Sequence, residues 1–170
     1  MGFQISWLAA RAPKATLLEA LHLTDTGVPD EANEAPFSVA ELSGGWSLIW
    51  SNDVEWALPS RVPVLVTQTA VVAFMVFEGI DASFVDYAGP DGNWSVSYGL
   101  EDGGALHGEW PPALAPVAAA ASGPFDVPGD LARALTGYAY NRADDGIRFT
   151  IAEIESASGA ASEPVAVAAE

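Results

Sequence analysis

The chain has 170 residues, with 23 acidic and 6 basic side chains, no cysteine and two histidines, yet half of it is hydrophobic. A formal net charge of −17 opposes binding to nucleic acids and to anionic membranes. The missing cysteines exclude disulfides, thiol nucleophiles and thiolate metal sites. The length fits one domain with a sizeable core, which needs neither a disulfide nor a metal for stability.

Apolar periodicity predicts the first elements of the chain. Residues 3–9 alternate as a short strand, with Phe3, Ile5 and Trp7 on one face. A stripe of leucines after Pro13 predicts a helix that ends near residues 22–24. Residues 25–36 are rich in acids, glycine and proline, which is typical of an exposed acidic loop.

The middle of the chain predicts an antiparallel arrangement. Residues 37–42 and 46–51 flank a short glycine-bearing connection and are expected to form a hairpin. Residues 53–70 contain two prolines, so we expect at most one turn of helix there. Residues 71–78 are apolar on both faces, which indicates a central strand covered on both sides. Two further segments, 82–87 and 93–98, follow it and predict a meander.

The last third of the chain is more helical. Residues 99–110 have the composition of a loop, and an alanine-rich helix is expected over 113–121. Asp126 is expected to cap a second helix that ends near Gly137, with Leu131, Ala134, Leu135 and Tyr138 on one face. Alternation over residues 147–151 predicts a final strand.

The order of these elements predicts the fold class. We expect a single α+β domain over residues 1–154, built mainly on an antiparallel sheet with two or three helices. Residues 155–170 consist mostly of alanine, serine and glutamate without periodicity, and we expect a disordered acidic tail.

Three features resemble a group of small uncharacterised bacterial proteins. They are Ile5-Ser6-Trp7-Leu8-Ala9 before a leucine-rich helix, Gly44-Gly45-Trp46, and Val127-Pro128 followed by Leu131-Ala132 and Leu135-Thr136-Gly137-Tyr138. The resemblance covers most of residues 3–140. It implies a bacterial origin, and it carries no catalytic residue to this chain.

Motifs for cofactors and metals are missing from the sequence. No glycine-rich nucleotide-binding turn occurs, and the first strand-to-helix connection reads Ala10-Arg11-Ala12-Pro13. No acidic segment has the spacing of a calcium loop. We therefore expect neither a cofactor nor a metal, although a weak divalent-cation site in an acidic loop stays open.

Four residues are candidates for catalysis: Glu78, Asp81, Asp86 and His107. The acids lie at the end of the predicted central strand and on its neighbour, together with Ser83 and Tyr87. Apolar walls there would raise carboxyl pKa values toward those of general acids and bases. The simpler interpretation, which we favour, is that Glu78 and Asp81 bracket a turn and that Asp86 faces water on an outer strand. His107 is a loop histidine, and His22 is expected to interact with the last carbonyls of its helix.

The tryptophans divide into two groups. Trp46, Trp50 and Trp94 share strand faces with leucine and valine, and we expect them in the core. Trp56 and Trp110 adjoin proline-rich loops and acids, so these two are the candidates for an exposed binding contact.

Three functional hypotheses remain. The favoured one is a non-enzymatic, cytoplasmic binding or interaction protein whose acidic surface steers a basic protein partner. The second is a small carboxylate enzyme with its site near Glu78, Asp81 and Asp86. The third is a homo-oligomeric scaffold domain that pairs through its sheet. Nucleic-acid binding is rejected because the basic residues form no cluster, and the longest apolar stretch is too short for a membrane helix.

Overall fold

The structure is a computed structural model that describes residues 2–142 and 146–156. Its strands are β1 (Gln4–Ala10), β2 (Leu23–Pro29), β3 (Phe37–Glu41), β4 (Ser47–Ser51), β5 (Val71–Phe77), β6 (Ala82–Gly89), β7 (Gly92–Gly99), β8 (Ala105–Gly108) and β9 (Thr150–Ile154). They form one antiparallel sheet in the order β2-β9-β3-β4-β1-β5-β6-β7-β8. The expected α+β fold is confirmed, with more sheet than the sequence suggested.

Two layers of helices cover the sheet. The helices are α1 (Lys14–Leu21), α2 (Pro63–Gln68), α3 (Ala115–Ala120) and α4 (Val127–Thr136). Apolar side chains of α1 and α2 join a core on one face, which we call the α1/α2 face. Those of α3 and α4 join a core on the opposite face, which we call the α4 face. The described chain thus has four helices, where two or three were expected.

Strand β1 lies at the centre of the sheet and supplies both cores. Its odd-numbered residues Ile5, Trp7 and Ala9 pack in the core of the α4 face. Its even-numbered residues Leu8 and Ala10 pack on the α1/α2 face, because successive strand side chains point to opposite sides. The predicted central strand, β5, is next to β1 rather than at the middle.

The hairpin and the meander are confirmed. Strands β3 and β4 pair from Phe37 opposite Ser51 to Glu41 opposite Ser47. Strands β5, β6 and β7 pair consecutively, and β8 adds a further strand at the edge. The expected loop over residues 99–110 is therefore wrong in part, because it contains β8.

The expected acidic loop over residues 25–36 is also wrong in part. Residues up to Pro29 belong to edge strand β2, which pairs with β9. Asp25 is ion-paired with Lys14 at 2.8 Å, and Asp30 is buried. These carboxylates have partners in the fold, and this is why an acidic segment can pack against the sheet.

Residues 53–70 follow an irregular path that ends in the six-residue helix α2. The hydroxyl of Ser6 on β1 donates to the carbonyl of Asp53 (2.6 Å) and accepts from the N–H of Ala57 (3.1 Å). Ser6 is fully buried, so these bonds fix the segment against the centre of the sheet.

Helix α4 has the expected ends but a different buried stripe. Asp126 occupies the N-cap position without a side-chain cap, and Gly137 ends the helix at φ +79. Leu131 and Ala132 are fully buried. Ala134, expected on the buried face, is exposed.

Two expectations concern the ends and the environment of the chain. Most of the tail that we expected to be disordered, residues 157–170, lies outside the described residues. Within the described part, no helix is both long and apolar enough to cross a membrane.

Candidate functional site

The candidate acids Glu78 and Asp81 lie in one turn but do not share a site. Glu78 accepts hydrogen bonds from the N–H of Phe3 (2.8 Å) and from the hydroxyl of Tyr140 (3.0 Å). Asp81 is exposed and adopts φ +48 at the end of the turn. Glu78 therefore tethers the start of β1, whereas Asp81 faces solvent.

Asp86 lies on the α1/α2 face of the sheet. It borders a shallow depression with Pro59, Pro63 and Val66, and burial raises the pKa of its carboxyl. Glu78 bonds to Tyr140, whose ring packs with the core of the α4 face. The sheet thus separates Asp86 from Glu78.

The remaining candidates lie elsewhere. His107 is exposed on edge strand β8, opposite Ser97. Trp110 is partly buried against the core of the α4 face. Trp56 is only 9% exposed in the opposite core. The proposal of Trp56 as an exposed contact is wrong, because Phe37 packs against its ring at a centroid distance of 5.0 Å and Arg61 covers it.

A cleft between α4 and the sheet brings together residues that the sequence did not group. We call it the aromatic cleft, and it encloses about 240 Å³. Its walls include Trp7 of β1, Phe74 of β5, and Tyr138 and Tyr140 from the segment after α4. Ring centroids lie 5.6 Å apart for Trp7 and Phe74, 5.7 Å for Trp7 and Tyr138, and 5.5 Å for Phe74 and Tyr140. The cleft is therefore walled by contiguous aromatic rings.

Helix α4 leaves room for this cleft through a glycine. Gly129 also lines the cleft, and a Cβ placed there would meet only the Phe74 ring, at 3.6 Å. A larger side chain at this position would project toward the aromatic wall. Gly129 is the local signal in the sequence that could have indicated a cavity beside α4.

Trp7, which lines the aromatic cleft, carries an unpaired donor. Trp7 is 1% exposed, and its Nε1–H has no hydrogen-bond acceptor among the described residues. A buried side-chain donor without an acceptor is uncommon in folded proteins. The only other such atom in the described part of the chain is that of Asn33, its Oδ1, and Asn33 lines an adjoining depression.

The rim of the aromatic cleft carries charges of both signs: Asp126, Asp130, Arg133 and Arg142. Asp130 and Arg133 are one helical turn apart, a spacing that allows an ion pair. Nevertheless, the pair between Lys14 and Asp25 is the only salt bridge among the described residues. The guanidinium groups at the rim are therefore not neutralised within the described fold.

The tyrosines of the cleft are suited to binding rather than to proton transfer. Burial raises the pKa of Tyr138, and burial together with the hydrogen bond to Glu78 raises the pKa of Tyr140. Both hydroxyls thus stay protonated at neutral pH. No cluster of His, Cys, Asp or Glu suited to a metal ion occurs in the described ranges.

A second surface lies on the α1/α2 face, beyond α2. We call it the apolar groove, and its apolar lining consists of Val54, Met75, Phe77, Ile80, Ala82, Phe84 and Leu100. None of these side chains belongs to either described core. Its charged lining residues are Glu55, Glu101 and Asp102, with no lysine or arginine.

Comparisons with known proteins add nothing to this geometry. No protein-family model, curated protein or solved structure matches the chain. The surfaces of the described fold are therefore the basis for the functional proposals.

Proposed function

We propose that the protein is a non-enzymatic interaction protein that binds a basic partner protein through the apolar groove. The observation that carries this proposal is a row of apolar side chains that the described fold leaves uncovered. Ile80 is 45% exposed and Leu100 is 53% exposed, and both border the half-buried Met75, Phe77 and Phe84. Contiguous apolar surface of this kind is typical of protein interaction sites.

The groove offers a partner side-chain contacts rather than unpaired backbone groups. Its floor is formed by β5 and β6, and its sides by the segment after β4 and by residues 100–102. The floor is a paired sheet, so its backbone groups are already satisfied. Recognition would therefore depend on side-chain packing, which contributes roughly 25 cal/mol for each Å² of apolar surface buried.

The charges of the groove favour a basic partner. Glu55, Glu101 and Asp102 are all exposed at its edges. A second copy of the chain would bring equivalent carboxylates together, and a nucleic acid would bring phosphates to them. The same carboxylates would attract a basic protein toward the groove and would contact its lysines and arginines once it is bound. This preference disfavours the homo-oligomeric alternative for this surface.

The enzyme alternative has less support. Catalysis by paired carboxylates requires two acids on one side of a substrate. Glu78 and Asp86 lie on opposite sides of the sheet, and Asp81 faces solvent. We therefore propose binding without chemistry, and we take the partner to be a cytoplasmic protein.

Site-specific crosslinking tests the proposal. A photoreactive amino acid at position 100 of the full chain, expressed in its native host, is expected to capture a protein of high isoelectric point. The same residue at position 28 is a matched control, because Val28 is 51% exposed on the opposite edge of the sheet. The captured protein is then purified and its affinity measured by calorimetry.

The affinity of the purified pair decides between the outcomes. Leu100→Asp is expected to weaken binding at least tenfold, whereas Val28→Asp leaves binding unchanged. Added salt is expected to weaken binding because it screens the carboxylates at the edges of the apolar groove. Capture only of a second copy would replace the proposal with the homo-oligomer. Equal capture from positions 100 and 28 would refute it.

A further inference from the structure

The apolar groove has the shape of an unfilled helix position in the layer that covers the α1/α2 face. We propose that the basic partner inserts an amphipathic helix there, with lysines or arginines along both edges of its apolar stripe. This inference rests on the proposed interaction at the apolar groove, and it names the element of the partner that binds.

The floor of the groove continues a surface that helix α2 already covers. Leu65 of α2 is buried in the same core as Val71 and Ala73 of β5. Further along β5 on the same face, Met75 and Phe77 line the groove instead. None of the four described helices contributes a residue to the lining. The helical layer thus ends at α2, and the groove is the neighbouring position.

The walls of the groove leave room for a helix. One wall contains Val54 and Glu55, in the segment that Ser6 holds over β1. The other wall is formed by residues 100–102, which follow β7. Strands β5 and β6 lie between β1 and β7, so β1 and β7 are about 14 Å apart at roughly 4.8 Å per strand spacing. An α-helix with its side chains is roughly 10–12 Å across and fits this span.

The floor favours a helix over an extended segment. Strand β5 pairs with β1 and β6, and β6 pairs in turn with β7, so the backbone groups of the floor already have partners. An extended segment on this floor would find no backbone partners in it, whereas a helix pairs its own N–H and C=O groups. A helix also presents its apolar side chains as one stripe, which matches a groove.

The floor contains a recess for one large apolar side chain. It is formed by Ala82 and Gly99, which are paired with each other across β6 and β7. A Cβ placed at Gly99 would meet only the carboxylate of Asp102, at 3.8 Å. The larger Phe77 pairs with Ala82 from the other side, and the exposed Leu100 follows Gly99. An anchor residue on the partner helix, such as leucine or phenylalanine, fits between them.

The charges of the walls define the edges of the partner helix. Glu55 lies on one wall, Glu101 and Asp102 lie on the other, and all three are exposed. A helix between these walls has a carboxylate beside each edge of its apolar stripe. Lysines or arginines on both edges would therefore pair with the walls, and acidic residues there would be repelled.

Synthetic peptides of about 15 residues, roughly 22 Å long as a helix, test the inference by calorimetry with the full chain. The first peptide has leucines one helical turn apart and lysines on both edges of that stripe. The second has the same composition with leucine and lysine alternating, so the net charge of −17 attracts both peptides. The helical peptide is expected to bind at least tenfold more tightly, and glutamates in place of its lysines should abolish binding.

Matched variants test whether the peptide occupies the groove. Ala82→Phe fills the recess and is expected to weaken binding of the helical peptide at least tenfold, whereas Ala134→Phe, at an exposed position of α4 on the opposite face, leaves binding unchanged. Glu55→Lys and Glu101→Lys change one wall each, and each is expected to weaken binding about threefold. Glu31→Lys, exposed in the turn between β2 and β3, is the control for charge and should have a smaller effect.

The conformation of the bound peptide completes the test. The ¹³Cα chemical shifts of a labelled peptide are expected to become helical on binding. Absence of binding, equal affinity for the helical and alternating peptides, or extended shifts in the complex would each overturn the helix. If position 100 still captures a basic protein in that case, the proposed function stands without the helix. Equal capture from positions 100 and 28 would refute both.

Discussion

The carboxylate of Asp30 accepts a 2.6 Å hydrogen bond from the hydroxyl of Ser38, and both residues are buried. Asp30 also accepts the backbone N–H groups of Glu34 (2.9 Å) and Ala35 (3.1 Å), which closes the turn between β2 and β3. Burial on its own would raise the pKa of Asp30, but the hydrogen bonds outweigh it and lower the pKa.

Asp30→Asn is expected to destabilise the fold by about 1–3 kcal/mol at neutral pH, because an amide presents only one acceptor oxygen to three donors. The pKa is below 3.8 in the folded state, so the stabilisation is present above that value and is lost as the pH falls through the folded pKa. Urea denaturation of both proteins at neutral pH and near pH 3 measures this. Asp81→Asn, at an exposed site, is the control. An equal difference at both pH values would contradict the prediction.

The ion pair between Lys14 and Asp25 joins helix α1 to the sheet edge. Asp25 also accepts the hydroxyl of Thr150 on β9, at 2.6 Å. Burial on its own would raise the pKa of Asp25, but Lys14 and Thr150 outweigh it and lower the pKa. Because the pair is partly exposed, Lys14→Met is expected to lower the free energy of unfolding by less than about 1 kcal/mol, and this loss should shrink in high salt. Melting temperatures at low and high salt test this. Thr150→Val is the matched control, because its cost should not depend on salt.

Asp86 is expected to destabilise the folded state at neutral pH. Burial raises the pKa of Asp86, so the folded state favours the protonated carboxyl. The destabilisation by the charged carboxylate is therefore lost as the pH falls through the folded pKa. Asp86→Asn should therefore raise the melting temperature at neutral pH by roughly 1–3 °C, and the gain should disappear near pH 4. A gain that stays constant over this pH range would show that charge is not its cause.

Gly108 holds the edge strand β8 close to β7. Its φ is +111, and a Cβ there would lie 2.0 Å from the carbonyl oxygen of Ser95. Gly108→Ala is expected to detach β8 while the two cores stay folded, because β8 contributes no fully buried residue. Hydrogen exchange should accelerate in residues 105–109 and in β7 but not in β1. Gly123→Ala, with open space around it, is the control, and global unfolding of the Gly108 variant would disprove the local effect.

The sequence predicted those elements whose partners are near in the chain. Strands β6 and β7 alternate clearly and pair through a two-residue turn, so local pattern was sufficient. Strand β2 was missed because it pairs with β9, more than 120 positions later, and because its acids resemble those of a loop. Strand β8 was missed because it has only four residues and lies among glycines.

The candidate sites differed in how far the sequence could predict them. Alternation along β6 already places Asp86 on the opposite face from Ser83 and Tyr87. Strand geometry alone therefore shows that Asp86 does not share a site with these two side chains. The aromatic walls of the cleft have no such local signal, and only Gly129 on α4 is one. Trp7, Phe74 and Tyr138 come from three distant segments, and only the pairing of β1 with β5 and the packing of α4 bring them together.

The central position of β1 has a consequence for synthesis on the ribosome. Trp7 pairs with Trp50 on one side and with Phe74 on the other, so β1 leaves the ribosome before both of its neighbours and is flanked on both sides only after β5 has been translated. At roughly 5–20 residues per second, several seconds pass before β5 has been translated. During that time the nascent chain exposes the apolar side chains of β1, which are then a target for chaperones that hold unfolded segments.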